Sequence, residues 1–194
     1  MKYEDGATRP DSINMQTLID KYAQDFIDCG KLIGKNGLSV GSGGNLSIKV
    51  PGGMLVTSTG SALDNLHADE IIFVAEANRE NVYFLGSKGP SSESINHWTM
   101  YEEMPDVKAI AHVNVGPKED KNIPSTLEEI PYGTIELGLD MIPLFKKANV
   151  VFLKDHGIVT IGQSLTEATN LLIESADKNK PFILPFIKPL IEPQ

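Results

Sequence analysis

Two histidines stand beside extended segments of the chain and could hold a divalent metal ion. His112 comes directly after the apolar run 107–111, and His156 lies between two further apolar runs. Asn114 is two residues beyond His112, so on a strand the two side chains would share a face. Neutral imidazole is a good ligand for zinc and related metals, but two histidines need a further ligand. The two histidines therefore allow either a metal site, with Asn114 as a candidate third ligand, or buried or surface histidines that only make hydrogen bonds within the fold.

An acidic residue, Glu93, follows Ser92 in what the sequence predicts to be the first turn of a helix. The helix dipole stabilises a carboxylate there, so Glu93 could simply cap the helix. Close to a metal it could instead move protons. We expect His97, one turn later, to pack or to pair with Glu93, and His67 to lie on a solvent-exposed connection. Neither is assigned a catalytic role.

Three short loops combine glycine with small hydroxyl or amide side chains. They are Ser42-Gly43-Gly44-Asn45, Thr57-Ser58-Thr59-Gly60 and Gly89-Pro90-Ser91-Ser92. Glycine lets backbone N–H groups approach a ligand, and the third loop ends at a predicted helix N-terminus, which favours anions. Any one of these loops could be an ordinary turn. Together they predict one shared binding site for a small anion such as a phosphate.

The elements that would position these residues alternate between helices and groups of strands. Apolar spacing predicts a first helix that begins near Ser12 or Asn14 and ends at Gly34 or Gly37. A hairpin is predicted over 46–57, and further strands over 71–75, 82–85, 107–111, 150–153 and 158–161. Helices are predicted after Ser92, from Thr134 and from Ser164, the last with a capping box to Glu167. This order favours an α/β fold in which helices flank a mixed sheet.

The composition narrows the class of protein. A chain of 194 residues with 41% apolar content is expected to form a single domain over 1–194. Its net charge of −9 argues against binding to nucleic acid or to an anionic membrane, and no apolar run approaches a membrane span. With one cysteine, Cys29, and no signal pattern at the N-terminus, a cytoplasmic protein is expected. The proline-rich tail 180–194 is expected to lie across a surface of the same or a neighbouring subunit.

Six motifs follow one another in an order that resembles the class II aldolase/adducin family. They are Ser42-Gly43-Gly44-Asn45-Leu46-Ser47, Thr57-Ser58-Thr59-Gly60, Pro90-Ser91-Ser92-Glu93, the histidine after Pro105-Asp106-Val107, Pro131-Tyr132-Gly133-Thr134 and Asp155-His156-Gly157. The resemblance spans the chain from the first helix to about Asp177. It implies a three-layer α/β/α fold with a largely antiparallel central sheet.

The resemblance also implies an activity. Family members similar to fuculose-phosphate aldolase hold Zn²⁺ with three histidines, of which His112 and His156 match two. The ion would polarise a keto-sugar phosphate and stabilise an enediolate, while Glu93 shuttles the proton. The residues implied to hold the substrate phosphate are Ser42, Gly44, Asn45, Thr59, Gly60, Ser91 and Ser92. A homotetramer with sites between subunits is likewise implied.

Two features depart from the family pattern. Asn114 stands where the family has the second histidine of its His-x-His motif, and an amide oxygen is a poorer zinc ligand than imidazole. Metal binding is therefore expected to be weakened or absent. The stretch 115–131 is shorter than in typical aldolases and offers no replacement, within 116–129, for their catalytic tyrosine. Two alternatives follow: a metabolite-binding or adducin-like assembly module without catalysis, or a dehydratase or epimerase of the same family.

Overall fold

One sheet of eight strands organises the part of the chain described by the computed structural model, which covers residues 2–5, 15–39, 41–114 and 122–176. The strands are β1 (Lys2–Asp5), β2 (Gly44–Val50), β3 (Gly53–Thr57), β4 (Ile71–Ala77), β5 (Asn81–Leu85), β6 (Ala109–Val113), β7 (Val150–Leu153) and β8 (Gly157–Gly162). Their order across the sheet is β1-β5-β4-β3-β2-β6-β8-β7. Only the β1–β5 pair is parallel among these described strands, so the sheet is mixed and largely antiparallel, as predicted.

Four α-helices accompany the sheet in the described ranges: α1 (Met15–Lys35), α2 (Ser94–Glu103), α3 (Ile135–Phe145) and α4 (Leu165–Ala176). Buried residues of α1 and α4 belong to one hydrophobic cluster, and those of α2 and α3 to another. The strands contribute alternate residues to the two clusters; Leu55 joins the first, while Met54 and Val56 join the second. The result is an α/β fold with two cores and no described helix long and apolar enough to cross a membrane.

The antiparallel pairing brings the functional loops to one edge of the sheet. The start of β2, at Gly44, lies opposite the end of β6, at Val113. Because β3 is antiparallel to β2 and β8 is antiparallel to β6, the end of β3 and the start of β8 reach the same edge. The loops around 41–44, 57–60, 114 and 154–157 therefore lie side by side, although they are far apart in the chain.

The predicted elements are found with small shifts. The hairpin is confirmed as β2 and β3, and the four predicted helices are α1 to α4. Thr134 caps α3 by accepting from Leu137 N at 3.2 Å. In the capping box of α4, Ser164 Oγ accepts from Glu167 N, but the Glu167 carboxylate accepts from Gln163 N instead of Ser164 N. Strand β1 was not predicted, and the proposed cap at Ser12 or Asn14 and the tail 180–194 lie outside the described residues.

One boundary was predicted wrongly in a way that matters for the site. The strand expected over 107–111 is observed as Ala109–Val113, so His112 lies within β6 instead of after it. Val107 N instead donates to Met104 O in the turn that follows α2. The strand continues to Val113 because β8 pairs with it over the whole length, with His112 opposite Val159. Apolar content alone did not reveal this pairing.

Candidate active site

Three side chains from distant parts of the sequence meet at this edge of the sheet. Oε1 of Glu93 lies 3.3 Å from Nε2 of His112 and 3.6 Å from Nε2 of His156. The rings of His112 and His156 are in edge contact, with their centroids 4.8 Å apart. One potential ligand atom from each residue lies within 4.8 Å of the other two. A carboxylate and two imidazoles at this separation form a donor set suited to one divalent cation.

His112 is held so that its Nε2 faces the site. The side chain is fully buried, and Nδ1 lies 2.9 Å from the carbonyl oxygen of Ile158 on β8. A carbonyl only accepts, so Nδ1 carries a proton. In the neutral ring this leaves the Nε2 lone pair free for an ion, the arrangement in which a backbone carbonyl orients a metal-binding histidine.

Asn114 meets His112 directly. Its Oδ1 lies 2.7 Å from Nε2 of His112, and its backbone N donates to Gly43 O. The predicted shared orientation of the two side chains is thus observed, but the amide points at the nitrogen that would hold the ion. A proton on Nε2 would be donated to Asn114 Oδ1 or to Glu93 Oε1. The cluster can therefore exist as an imidazolium–carboxylate pair as well as a metal site.

Glu93 occupies the N-cap position of α2, one residue before the predicted first turn. Its side chain does not cap the helix, because it makes no cap hydrogen bond. Its backbone N donates to Ser91 Oγ, and Oε2 accepts from Nδ2 of Asn96 at 3.1 Å. With only 7% of the residue exposed, the carboxylate is directed to the two histidines instead of to solvent. The interpretation of Glu93 as a helix cap is therefore wrong.

The charges of the cluster stabilise one another. Burial raises the pKa of Glu93, but the neighbouring His112 and His156 outweigh this effect and hold the pKa well below its usual 4.5. Burial lowers the pKa of His112, yet the Glu93 carboxylate and the surrounding hydrogen bonds bring it above the usual 6.5. Opposite charges a few ångströms apart favour each other's ionised forms. A cation at this position would receive the same stabilisation from Glu93.

His156 is presented by a tight turn between β7 and β8. Asp155 adopts a positive φ of 56°, and His156 N donates to Leu153 O at 3.1 Å. Gly157 packs so closely on the backbone of Val113 that a Cβ there would clash. The Asp-His-Gly sequence is thus explained: the turn needs a residue that tolerates φ > 0 and then one without a side chain. The exposed ring of Tyr132 lies beside His156, with centroids 6.0 Å apart.

The first two predicted anion-binding loops border the cluster. Asn45 is directly opposite His112 in the β2–β6 pair. It is 3% exposed, and its Oδ1 has no hydrogen-bond partner in the described structure. Gly44 has φ 148° and packs against His112 O, which excludes a side chain. Ser42, Thr59 and Gly60 are exposed at the same edge. The orphaned oxygen of Asn45 is consistent with a polar ligand at this edge.

The third loop is joined to the second by backbone hydrogen bonds. Thr59 N donates to Gly89 O and Ser91 N donates to Thr57 O, both at 2.9 Å. This pairing places Ser91 and Ser92 beside the Thr59 turn and immediately before Glu93. The nearby Lys88 ammonium is already paired, since it lies within 3.3 Å of the Asp69 and Glu70 carboxylates.

The other two histidines lie outside the cluster, as predicted. His97 is buried and contacts Ser47 Oγ through Nδ1 at 2.8 Å, while His67 is exposed. Asn96 and Tyr132 were not assigned a role in the sequence, although both contact the cluster. The position of Asn96, three residues after Glu93 on one helix face, was a usable signal. The contact between Tyr132 and His156 depends on tertiary structure and gave no local signal.

Comparisons with known proteins point to one family. The family model described as class II aldolase and adducin N-terminal domain matches residues 24–115 and 120–177. L-fuculose phosphate aldolase of Methanococcus vannielii is 31% identical over 177 residues, covering 80% of this chain and 94% of that protein. 3-Oxo-tetronate 4-phosphate decarboxylase of Escherichia coli K12 is 29% identical over 170 residues, covering 75% and 78%.

Solved structures of this family have a similar fold. The crystal structure of L-fuculose-1-phosphate aldolase from Thermus thermophilus superimposes with a TM-score of 0.67 at 21% identity, covering 81% of this chain and 91% of that one. The family model spans well over half of the 194 residues and includes the segments that carry Glu93, His112 and His156. The chain therefore belongs to the class II aldolase and adducin family.

Proposed function

We propose that this chain is a metal-dependent lyase that cleaves a carbon–carbon bond of a keto-sugar phosphate. The observation that carries the proposal is the position of the Glu93 carboxylate within 3.6 Å of Nε2 of both His112 and His156, at an edge lined by glycine-rich polar loops. The names of the relatives, which are enzymes of sugar phosphates, support the substrate class. A three-layer arrangement, with α1 and α4 on one side of the sheet and α2 and α3 on the other, is part of this proposal.

The residues of the cluster fit a divalent cation such as Zn²⁺. His112 and His156 would hold it through Nε2, and Glu93 would supply either a third ligand or the proton-transfer group. When bound, the cation supplies Lewis-acid chemistry, polarising the substrate carbonyl and stabilising the negative charge that develops beside it. Asn114 is the weak member of the set, since its amide must turn away from His112 Nε2 before that nitrogen can bind the ion.

The polar loops would orient the substrate by its phosphate. The backbone N–H of Gly60 and the side chains of Asn45, Thr59 and Ser91 would donate to the phosphate oxygens, whereas the N–H of Gly44 already donates to Ser42 O. Asn45 is well placed, because it lies opposite His112 in the sheet. Anchoring one end of the substrate this way would fix its carbonyl near the histidines and convert binding energy into orientation.

Glu93 would move the proton. Cleavage requires a base that takes a hydroxyl proton from the carbon skeleton and an acid that returns a proton to the new carbanion. Oε1 of the buried carboxylate faces the site and is the oxygen that would accept the proton. A proton taken up there would lie close to Nε2 of His112, which is 3.3 Å from Oε1.

One observation favours a second function. Oδ1 of Asn114 lies 2.7 Å from Nε2 of His112, and an imidazolium–carboxylate pair of His112 and Glu93 would neutralise the cluster without an ion. A family member in which this pair replaces the ion would bind the same phosphate without cleaving it, as a metabolite-binding or assembly module. Dehydration, decarboxylation and epimerisation are further outcomes of the same activated carbonyl. In both cases we propose that the protein assembles as a homotetramer.

The deciding experiment combines metal titration with an activity assay. Purified protein is titrated with Zn²⁺ by calorimetry and then assayed for release of dihydroxyacetone phosphate from L-fuculose 1-phosphate and related ketose 1-phosphates. We expect zinc binding tighter than a Kd of about 1 mM, which corresponds to about 4 kcal/mol, and zinc-dependent cleavage. Zinc binding that survives in a His112→Ala/His156→Ala double variant, or phosphate binding without zinc binding, would contradict the lyase. His67→Ala, at an exposed histidine, serves as the control.

A further inference from the structure

The two oxygens of the Glu93 carboxylate have separate environments. Oε1 faces Nε2 of His112 and of His156, whereas Oε2 accepts from Nδ2 of Asn96 at 3.1 Å. Asn96 is 1% exposed and Glu93 is 7% exposed, so water competes little for this bond. A hydrogen bond to a buried carboxylate is charge-assisted and therefore strong. The bond restrains rotation of the carboxylate and keeps Oε1 on the side of the histidines.

The side-chain amide of Asn96 is only partly satisfied in this position. Its Oδ1 is buried without a hydrogen-bond partner in the described structure. A buried acceptor without a partner is unfavourable, and an apolar side chain of similar size would avoid the penalty. A leucine at 96 would therefore satisfy packing but would leave Glu93 Oε2 without its donor.

The surroundings of Asn96 prevent it from shifting. Helix α3 packs against α2 at Gly138, where an added Cβ would lie 3.1 Å from the backbone oxygen of Asn96 and 2.8 Å from Cβ of Thr99. Thr99 in turn bonds the backbone of Ile95 through its hydroxyl. The close helix contact thus fixes the turn of α2 that carries Asn96 relative to Glu93.

We propose that Asn96 is a positioning residue: it holds the Glu93 carboxylate so that Oε1 is presented to the cation and to the proton that is moved. Its catalytic value rests on the proposed function, whereas its effect on the carboxylate does not. Asn96 does not touch the substrate or the ion in this role. It acts only through Glu93.

The test compares Asn96→Leu with Asn149→Leu. Asn149 is also a buried asparagine, 6% exposed and with both side-chain polar atoms unpartnered in the described structure, but it lies at the opposite end of β7 and β8 from His156. Crystal structures of both variants are determined without metal, and Zn²⁺ and Co²⁺ are titrated by calorimetry and visible absorption. In Asn96→Leu we expect Oε1 to turn away from both Nε2 atoms, metal affinity to fall about 10–100-fold and the Co²⁺ spectrum to change.

Asn149→Leu should leave the carboxylate, the affinity and the spectrum as in the wild type. An Asn96→Leu structure with Oε1 still within 3.3–3.6 Å of both histidines, or unchanged metal affinity, would overturn the role of Asn96. Should the leucine variant not fold, Asn96→Ser, too short to reach Oε2, is measured in the same way. Absence of metal binding to the wild type would refute the proposed function instead, while the metal-free structures would still decide the position of the carboxylate.

Discussion

His112 and His97 are both buried histidines close to the charge of Glu93, yet their pKa values shift in opposite directions. His112 faces Glu93, Asn114 and the Ile158 carbonyl, and its pKa is raised from 6.5. Burial lowers the pKa of His97 to about 4, against a smaller upward effect of Glu93 and with a further lowering by His112. Burial is nearly complete for both. The difference therefore comes from the partners of the two rings.

The partners of His97 are neutral, which indicates a structural role for this histidine. His97 contacts Ser47 Oγ, which in turn contacts Tyr101 OH at 2.8 Å. Both groups are neutral hydroxyls, and burial raises the pKa of Tyr101 well above 10. This network ties α2 to β2 without any charge. In the cluster at the sheet edge, charge is concentrated instead, which is typical of a place where chemistry occurs.

The largest effect is expected from Glu93→Gln, which removes the negative charge that faces His112 and His156. Without the carboxylate, burial should lower the pKa of His112 below 6.5, while that of His97 should fall only slightly further. Loss of the acid–base group should decrease kcat roughly 10²–10⁴-fold. Steady-state assays and NMR titration of the histidine rings measure the two effects. A His112 pKa that stays high would show that Glu93 is not its dominant partner.

The next effect concerns the pH dependence of stability through His97. The folded state keeps His97 neutral down to about pH 4, whereas unfolded histidine protonates near 6.5. The unfolded state therefore binds the additional proton, and the free energy of unfolding decreases as the pH falls from 6.5 to about 4. The loss reaches about 3 kcal/mol at the low end, from about 1.4 kcal/mol per pKa unit.

Replacement of His97 by glutamine should remove this component of the pH dependence. Urea unfolding at several pH values, compared between wild type and His97→Gln, measures it. His67→Gln, at an exposed histidine, serves as the control. Equal slopes for wild type and His97→Gln below pH 6.5 would contradict the assignment.

A smaller effect, a gain in zinc affinity instead of a loss of function, is expected from Asn114→His, which places a third imidazole at the sheet edge. The change removes the amide that contacts His112 Nε2 and adds a better zinc ligand. We expect zinc affinity to rise at least about tenfold, equivalent to about 1.4 kcal/mol. Calorimetry checks this value. An unchanged affinity would mean that the main limit on metal binding lies elsewhere, for example in the His112–Glu93 pair.

Local features of the sequence were sufficient to predict several elements of the fold. Repeated apolar spacing and turn residues are local, so α1 and the β2–β3 hairpin were predictable within a few residues. The cluster of Glu93, His112 and His156 was predicted because those residues occur within recognisable motifs. Its detailed contacts were not, since they depend on which strands become neighbours. No local pattern tells that β6 lies between β2 and β8.

Strand β1, the end of β6 and Asn96 were not predicted from the sequence. Strand β1 has only four residues, Lys2–Asp5, which is too short for an apolar pattern to be recognised. It is a strand because it pairs in parallel with β5. The end of β6 was misplaced because the pairing with β8, and not the apolar run, determines it. Asn96 was missed, although its position three residues after Glu93 on one helix face was a usable signal.

The smallest effect is expected at Tyr132, the exposed residue nearest to His156. The residue is 64% exposed and its ring centroid lies 6.0 Å from that of His156, so we expect a substrate bound at the proposed site to contact it. Gly133, with φ 69°, packs against Ser92 O and holds this segment beside the third polar loop. Tyr132→Ala should therefore raise KM a few-fold, up to about tenfold or about 1.4 kcal/mol, and leave kcat and zinc affinity unchanged. Leu139→Ala, at another exposed apolar residue, should change none of these quantities. A large decrease in kcat would contradict this expectation. It would assign Tyr132 to the proton-transfer groups and extend the catalytic cluster beyond Glu93, His112 and His156.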